Sequence, residues 1–337
     1  MKKRVKGIKY WALSIVMIFA FIGGTPVASV AQQLPVFTQF PSDELYFNPA
    51  VAGTKRIYDI RINYRDQWVG MPDAPITEGL SLNYRLLGGK MGLAGYIYQD
   101  VTGPTQRNDY TLCYAYHIKL PDLVISFGLA GSMMDYIANG SLITIHQQGD
   151  PAIDQAVSSH AWVPDASAGF FMYNDRWKLG LSASNLIQNN ANLYKTYAAP
   201  QDTNKAGVAT IVPHFYGYLS YNFSGNPSYI WQSSLFASEA SGTPLYLAYS
   251  MRLHIHDRFY VGLTYAVKDN ISLDLGLIFR GDIQVCYSYD YITSALGSYT
   301  SGSHEITIIY SVDSFTKKEH RGDTFDSFQK RKFGYMF

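Results

Sequence analysis

Residues 109–118 read Asp-Tyr-Thr-Leu-Cys-Tyr-Ala-Tyr-His-Ile, so a large apolar side chain occupies every second position. Successive side chains of a β-strand point to opposite faces, and the tyrosines, the leucine and the isoleucine would therefore share one face. Similar alternation recurs over residues 214–223, 245–254 and 271–280. A strand of a transmembrane β-barrel needs this pattern, because one face meets lipid and the other faces the lumen.

Fourteen such segments lie between residues 56 and 312, and the links between them alternate in length. A soluble sandwich also alternates in polarity, so the links decide between the two folds. The predicted short turns are 87–90, 120–122, 174–176, 224–227, 256–257 and 281–282. The predicted surface loops are 66–76, 100–107, 136–163, 187–213, 239–243 and 292–302, with 268–270 as a short exception. We therefore predict an all-β fold, an antiparallel transmembrane barrel of about 14 strands with both termini in the periplasm.

Composition agrees with a membrane barrel. Charged residues make up 16% of the chain and aromatic residues 15%, whereas a soluble domain carries about 25% charge. Outside the N-terminus no apolar run reaches the roughly 18 residues that a spanning helix needs. The net charge of +1 excludes a nucleic-acid-binding surface.

The N-terminus has the features of a secretory signal peptide. Five lysines and arginines precede the apolar stretch 11–22, and the small residues 29–31 suit cleavage before Gln32. A retained helical anchor is the alternative, but the apolar stretch is short and a proline follows it. The predicted division of the chain is signal peptide 1–31, turn-rich element 32–55, barrel 56–312 and periplasmic tail 313–337.

The turn-rich element does not alternate. It contains Phe37-Thr-Gln39-Phe40 and Leu45-Tyr-Phe-Asn48-Pro49-Ala-Val-Ala-Gly53. Asn-Pro starts turns and glycine permits positive φ, so we predict a compact element with aromatic anchors. It would fold against the periplasmic mouth of the barrel or inside it. The alternative is a strap that only closes the barrel base.

Several charged residues fall on predicted lumenal positions of the first two strands. Arg61, Arg65 and Arg85 lie there together with Asp59. Buried charges are costly unless they are paired, so these residues would hold the turn-rich element or line a wet channel. Gln67-Trp68 follows the first strand, where it would contact a partner or anchor the barrel in the membrane interface.

The tail 313–337 carries too many charges for a lipid-facing strand. Its end has aromatic residues at Phe333, Tyr335 and Phe337, spaced to dock into a groove of a partner protein. A disordered tail without a ligand is the alternative.

The two cysteines fall on lumenal positions of predicted strands four and thirteen. Strands five apart in such a ring are separated by roughly 25 Å, whereas a disulfide needs Cα atoms within about 7 Å. We therefore predict that Cys113 and Cys286 are unpaired.

Signals for catalysis, a cofactor or a metal are poor. His254 and His256 would share one face of a strand, but no third ligand is evident. Residues 87–91 lack the features of a phosphate-binding loop and suit a hairpin turn better. We predict no catalytic, cofactor-binding or metal site.

Two stretches resemble the PorP/SprF family of outer-membrane proteins. The family carries F-[ST]-Q-Y and N-P-A-x-A-G, which match residues 37–40 and 48–53, and Y-R-x-Q-W-x-G then A-P-x-T, which match residues 64–70 and 74–77. The chain departs from the pattern at Phe40 and Pro41 and in the charged extension after Val312.

That family belongs to the type IX secretion apparatus of Bacteroidota. The resemblance implies a non-catalytic barrel whose outer loops hold or receive an exported adhesin or the C-terminal domain of a cargo protein. The turn-rich element and the tail would contact periplasmic and outer-membrane subunits of the secretion machinery. The alternative function is a passive porin for small solutes.

Overall fold

Fourteen antiparallel strands close into a single barrel, as the alternation predicts. The computed structural model describes residues 37–55, 57–142, 158–188, 190–192, 208–226, 228–241, 243–256, 258–279 and 282–312. The predicted signal peptide and the tail 313–337 lie outside these residues. None of the helices in the described residues is long and apolar enough to cross a membrane.

The described residues contain sixteen strands in chain order. They are β1 (Tyr58–Asp66), β2 (Ile76–Leu86), β3 (Met91–Thr102), β4 (Thr105–Leu120), β5 (Leu123–Asn139), β6 (Ser158–Tyr173), β7 (Trp177–Ser184), β8 (Asn190–Asn192), β9 (Val208–Thr210), β10 (His214–Asn226), β11 (Tyr229–Ala240), β12 (Tyr246–Ile255), β13 (Phe259–Ala266), β14 (Asn270–Phe279), β15 (Ile283–Ile292) and β16 (Ser303–Val312). Strands β8 and β9 form a separate two-stranded ribbon, and the other fourteen form the barrel.

The barrel is closed by β1 and β16. Their register runs from Tyr58 opposite Val312 to Asp66 opposite His304 without a shift. We call the end where β1 begins and β16 ends the short-turn end, and the opposite end the loop end. At the loop end the first and last loops are joined, because Val69 N donates to Gly302 O at 2.8 Å and Ser301 N donates to Val69 O at 2.8 Å.

The outward and inward faces are those predicted. On β4, Leu112 is 77% exposed, whereas its neighbours Thr111 and Cys113 are buried. The outward residues of β14 are likewise apolar and exposed, and polar residues of that strand are buried in the lumen. Both cysteines are free and buried, on β4 and β15, which confirms the prediction of unpaired thiols.

Two predicted loops are shorter in the structure. The predicted loop 100–107 is wrong, because β3 and β4 continue to a turn at Gly103-Pro104. The predicted loop 136–163 shrinks to the link between Asn139 and Ser158. These strand ends carry polar side chains that pair across the ladder, such as Gln99 with Asn108 at 3.0 Å, so apolar alternation does not mark them.

A charge placed on the outward face tests whether this surface meets lipid. Leu112→Arg, near the middle of β4, should destabilise the barrel by about 2–4 kcal/mol, because an arginine at the bilayer midplane is costly. The matched control is Ile118→Arg, on the same face near the short-turn end, where the cost should be about 0–1 kcal/mol. Denaturant unfolding in lipid vesicles gives both values, and equal effects would contradict a membrane-spanning β4.

Candidate functional site: the lumenal plug

Residues 37–55 lie inside the barrel, and we call them the plug. The plug consists of tight turns and two short 3₁₀ helices, Glu44–Tyr46 and Pro49–Val51. Its hydrogen bonds reach the barrel wall on β1, β2, β5, β6, β7, β12, β13, β15 and β16. Of the positions predicted for the turn-rich element, against the periplasmic mouth or inside the barrel, the structure shows the one inside the barrel.

Local sequence explains the shape of the plug. Asn48 is extended, and its Oδ1 accepts a hydrogen bond from Ala50 N at 2.9 Å, which caps the second 3₁₀ helix. Pro49 follows at the first helical position, where its fixed φ fits and its missing N–H costs nothing. Gly53 has φ +72°, as its turn position predicts.

The start of the plug is anchored near the loop end. Arg65 Nη2 lies 2.7 Å from Asp290 Oδ2, and Arg65 Nη1 lies 3.0 Å from Glu305 Oε2. Thr38 completes the group, because its N donates to Glu305 Oε2 at 2.8 Å and its Oγ1 lies within 3.0 Å of both Asp290 oxygens. All four residues are buried. Two wall carboxylates thus share one wall arginine and one plug residue.

Gln39 extends this anchorage along the wall from β15 to β13 and β12. Its Oε1 accepts hydrogen bonds from Tyr260 at 2.8 Å and from Arg252 Nη2 at 3.1 Å, and its Nε2 donates to Ser288. Gln39 is fully buried, and Arg252 lies 4.9 Å from the centre of the Tyr260 ring. The side-chain amide of Gln39 is therefore hydrogen-bonded both through its nitrogen and through its oxygen.

Two further ion-paired groups lie deeper in the barrel. Arg61 Nη1 lies 2.7 Å from Asp43 Oδ1 of the plug, and Arg61 Nε lies 2.5 Å from Asp59 Oδ1. Glu44 receives two ammonium groups, from Lys55 at 2.6 Å and from Lys178 at 2.7 Å. Burial alone raises the pKa of Glu44, but these two lysines outweigh it and hold that pKa well below its usual value.

At the short-turn end the plug backbone touches the wall directly. A Cβ built on Gly92 would overlap the backbone of Ala52, and one built on Gly128 would overlap that of Pro49 and Ala50. Asn83 Oδ1 accepts a hydrogen bond from Gly53 N at 2.6 Å there. Lumen-facing glycines thus form a cradle in which the Asn-Pro-Ala segment lies.

Aromatic packing fills one side of the lumen. The ring of Phe40 lies 5.3 Å from that of Phe236, and the ring of Phe47 lies 4.9 Å from it. Tyr218 packs against both Phe40 and Phe47. These contacts explain why an aromatic residue occupies position 40.

A chamber remains between the plug and the loop end. It has about 670 Å³ of empty volume, part of which is open to solvent. Its floor includes Phe37 and Phe47 of the plug, and its wall includes Tyr98 and Tyr216. Its charged lining residues are Asp43, Arg107, Asp109 and Asp165.

The structure brings together seven of the predicted site residues, in the plug or against it. These are Phe37, Gln39, Phe40, Asn48, Pro49, Gly53 and Arg65. Arg61 and Arg85 also hold the plug, since Arg85 Nε donates to Gly53 O at 3.1 Å. Of the two predicted roles for these arginines, the structure therefore shows the holding of the element.

The other predicted residues are not part of this group. Gln67 and Trp68 lie in the first loop at the loop end, where Gln67 N donates to Pro75 O and Trp68 N donates to Ser303 Oγ, both at 3.0 Å. Trp68 has φ +53°. Phe333, Tyr335 and Phe337 lie outside the described residues.

Sequence reasoning missed two charged residues of the plug, Asp43 and Glu44. It also missed the wall residues that bind the plug, which are Lys178, Arg252, Tyr260, Asp290, Glu305 and the cradle glycines. A signal for some of them existed, since charged residues on inward positions of otherwise apolar strands need buried partners. In the described residues, no group of three or more His, Cys, Asp or Glu side chains is arranged to hold a metal.

A closed barrel with an apolar outer surface and an internal plug defines an outer-membrane β-barrel protein. The family model described as "Type IX secretion system membrane protein PorP/SprF" matches residues 29–310, and the chain belongs to this family. No curated protein matches the sequence.

Solved structures that resemble the chain include an outer-membrane protein and a porin. Omp33 of Acinetobacter baumannii is 8% identical with a TM-score of 0.43, and the match covers 77% of this chain and 100% of that one. A FadL homologue of Pseudomonas aeruginosa is 14% identical with a TM-score of 0.41, over 78% and 92% of the two chains. The KdgM porin is 10% identical with a TM-score of 0.36, over 75% and 99%.

The glycine cradle can be tested with one methyl group. Gly128→Ala should displace the plug backbone and cost about 1–3 kcal/mol, because the overlapping atoms of Pro49 and Ala50 are main-chain atoms. The matched control is Gly131→Ala on the same strand, where a Cβ meets nothing within 4 Å. Denaturant unfolding and protease sensitivity of residues 37–55 give the readout, and equal behaviour of the two variants would contradict the cradle.

The ion-paired glutamate should make the plug sensitive to acid. The pKa of Glu44 is lower in the folded than in the unfolded protein, so its stabilisation is present at neutral pH. That stabilisation should be lost as the pH falls below about 4.5, the ordinary value. Thermal unfolding of the detergent-solubilised protein should show this acid loss in the parent and a smaller one in Glu44→Gln. The control, Glu78→Gln at an exposed glutamate, should retain the parent's full dependence.

Proposed function

We propose that the protein is a non-catalytic outer-membrane component of the type IX secretion system that supports secretion or surface attachment of cargo proteins. Membership of the PorP/SprF family supports a role in that system. The plug is the structural observation that carries the proposal. A barrel whose lumen holds a bound segment of its own chain is suited to present surfaces to partners at its two ends.

The plug also favours this function over a passive porin. A porin conducts solutes through a water-filled lumen. Here, buried ion pairs of the plug reach opposite sides of the wall, from Arg61 on β1 to Lys178 on β7. Removing one partner of such a pair costs about 3–5 kcal/mol, so displacement of the plug to open a channel is unfavourable.

The two ends of the barrel suit different partners. We place the short-turn end in the periplasm, because outer-membrane barrels have short periplasmic turns and longer surface loops. The tail 313–337 continues from the last barrel strand at that end, where it would contact periplasmic subunits of the secretion machine through Phe333, Tyr335 and Phe337. The loop end, with Gln67 and Trp68, would receive the adhesin or the C-terminal domain of the cargo.

Loss of the gene should test the secretion role directly. A deletion strain should lose particular cargo proteins from its surface and medium, and the intact gene should restore them. Quantitative comparison of the surface and secreted proteomes provides the measurement. Unchanged cargo together with slower uptake of small solutes would support the porin and reject our proposal.

Permeability of the purified protein separates the two functions in vitro. Liposomes containing the full mature chain should swell little in small sugars, and a variant lacking residues 37–53 should increase swelling because the lumen is freed. A general porin of known conductance serves as the positive control. Rapid swelling with the full chain would contradict a plugged lumen.

A further inference from the structure

The direction of the plug inside the barrel has a consequence for the start of the mature chain. Thr38 is held by Asp290 and Glu305, which lie within three residues of the loop end of β15 and β16. Gly53, at the other end of the plug, is held by Asn83 near the short-turn end of β2. The plug therefore runs from the loop end down to the short-turn end, where β1 begins.

We propose that the mature N-terminus lies on the loop-end side of the plug, in the chamber, and is therefore presented toward the cell surface. The proposal rests on the predicted cleavage before Gln32 and on the orientation given above. The even strand number puts the start of β1 and the end of β16 at the same end of the barrel. The inference departs from the expectation that both termini lie in the periplasm, because the plug crosses the lumen before β1 and so moves the start of the mature chain to the other end of the barrel.

The length of the preceding segment supports this placement. Residues 32–36 span at most about 18 Å when fully extended. The seven-residue step from Tyr58 to Arg65 covers roughly 18 Å of barrel height, given about 3.4 Å per residue and a tilt near 40°. A return from Phe37 to the short-turn end would thus need a straight chain through space that the plug occupies.

The chamber has the chemistry to receive this segment. The sequence Gln32-Gln33-Leu34-Pro35-Val36 brings apolar side chains, for which the aromatic rings of the floor and wall provide contacts. The new α-ammonium group brings one positive charge. Asp43 is paired with Arg61, and Asp109 is 3.3 Å from Arg107.

Asp165 then remains as the carboxylate for the ammonium group. In the described residues it has no salt-bridge partner within 4 Å, and its Oδ1 accepts a hydrogen bond from Ile187 N at 3.0 Å. A carboxylate that lacks a cation and a chain start that lacks an anion are complementary.

An epitope tag tests the side of the barrel on which the N-terminus lies. The tag is inserted between Gln32 and Gln33, and antibody binding is compared on intact and permeabilised cells, since an antibody does not cross the outer membrane. One control carries the tag in the turn between Pro121 and Asp122 at the short-turn end. The other carries it after Ser298 at the loop end. Heat-modifiable gel mobility confirms that each barrel is folded.

We expect the N-terminal tag and the loop-end tag to bind antibody on intact cells, and the turn tag only after permeabilisation. If the N-terminal tag behaves like the turn tag, the inference is overturned and the proposed function stands. If the turn tag binds antibody on intact cells, the orientation in the proposed function is wrong. In that case, an N-terminal tag that behaves like the loop-end tag still supports the inference, and one that behaves like the turn tag overturns it.

A disulfide tests the chamber itself. In a background with Cys113→Ala and Cys286→Ala, the pair Gln33→Cys with Ser167→Cys, which lines the chamber and leaves Asp165 in place, should cross-link on oxidation, as seen by mass spectrometry of the purified protein. The matched pair Gln33→Cys with Asp122→Cys, at the short-turn end, should not. Cross-linking of the second pair, or of neither, would overturn the chamber as the position of the segment.

Discussion

Buried charge in the barrel lumen is the constraint on which this structure depends. Moving an ion out of water costs several kcal/mol, and the cost is recovered only when partners are close and their remaining hydrogen-bonding groups are satisfied. The wall cannot do this alone. Asp290 and Glu305 face the same arginine, and their oxygens are completed by Thr38 of the plug. The wall and the plug are therefore parts of one polar core.

The plug is part of the fold because its side chains fill the lumen of the barrel. A barrel of fourteen strands is wider than its own inward side chains fill, since about eight strands suffice for a packed interior. Aromatic contacts of Phe40 and Phe47 occupy one side of this space, and the amide of Gln39 bridges to Arg252 on another. Removal of the plug would leave Phe236 and Arg252 on the wall without these contacts.

The sequence allowed the barrel to be predicted because alternation is a property of each strand by itself. The strand number, the outward faces and the unpaired cysteines all follow from it. The prediction that Arg65 binds the turn-rich element or lines a channel also follows from one strand alone, because a buried charge needs a partner or water. Its actual partners, Asp290 and Glu305, are more than two hundred residues away, and a single sequence holds no record of which distant strands face each other.

Glycines and ions fix the plug in different ways, and both are needed. Ion pairs act over several ångströms and tolerate small shifts, so those of Glu44 and Asp43 alone would leave the height of the plug loosely defined. Direct contact of main-chain atoms with Gly92 and Gly128 is short-ranged and sets that height at the short-turn end. With its last residues seated there and Thr38 bound near the loop end, the plug has one direction and one register. The surfaces that the protein presents at its two ends follow from that register.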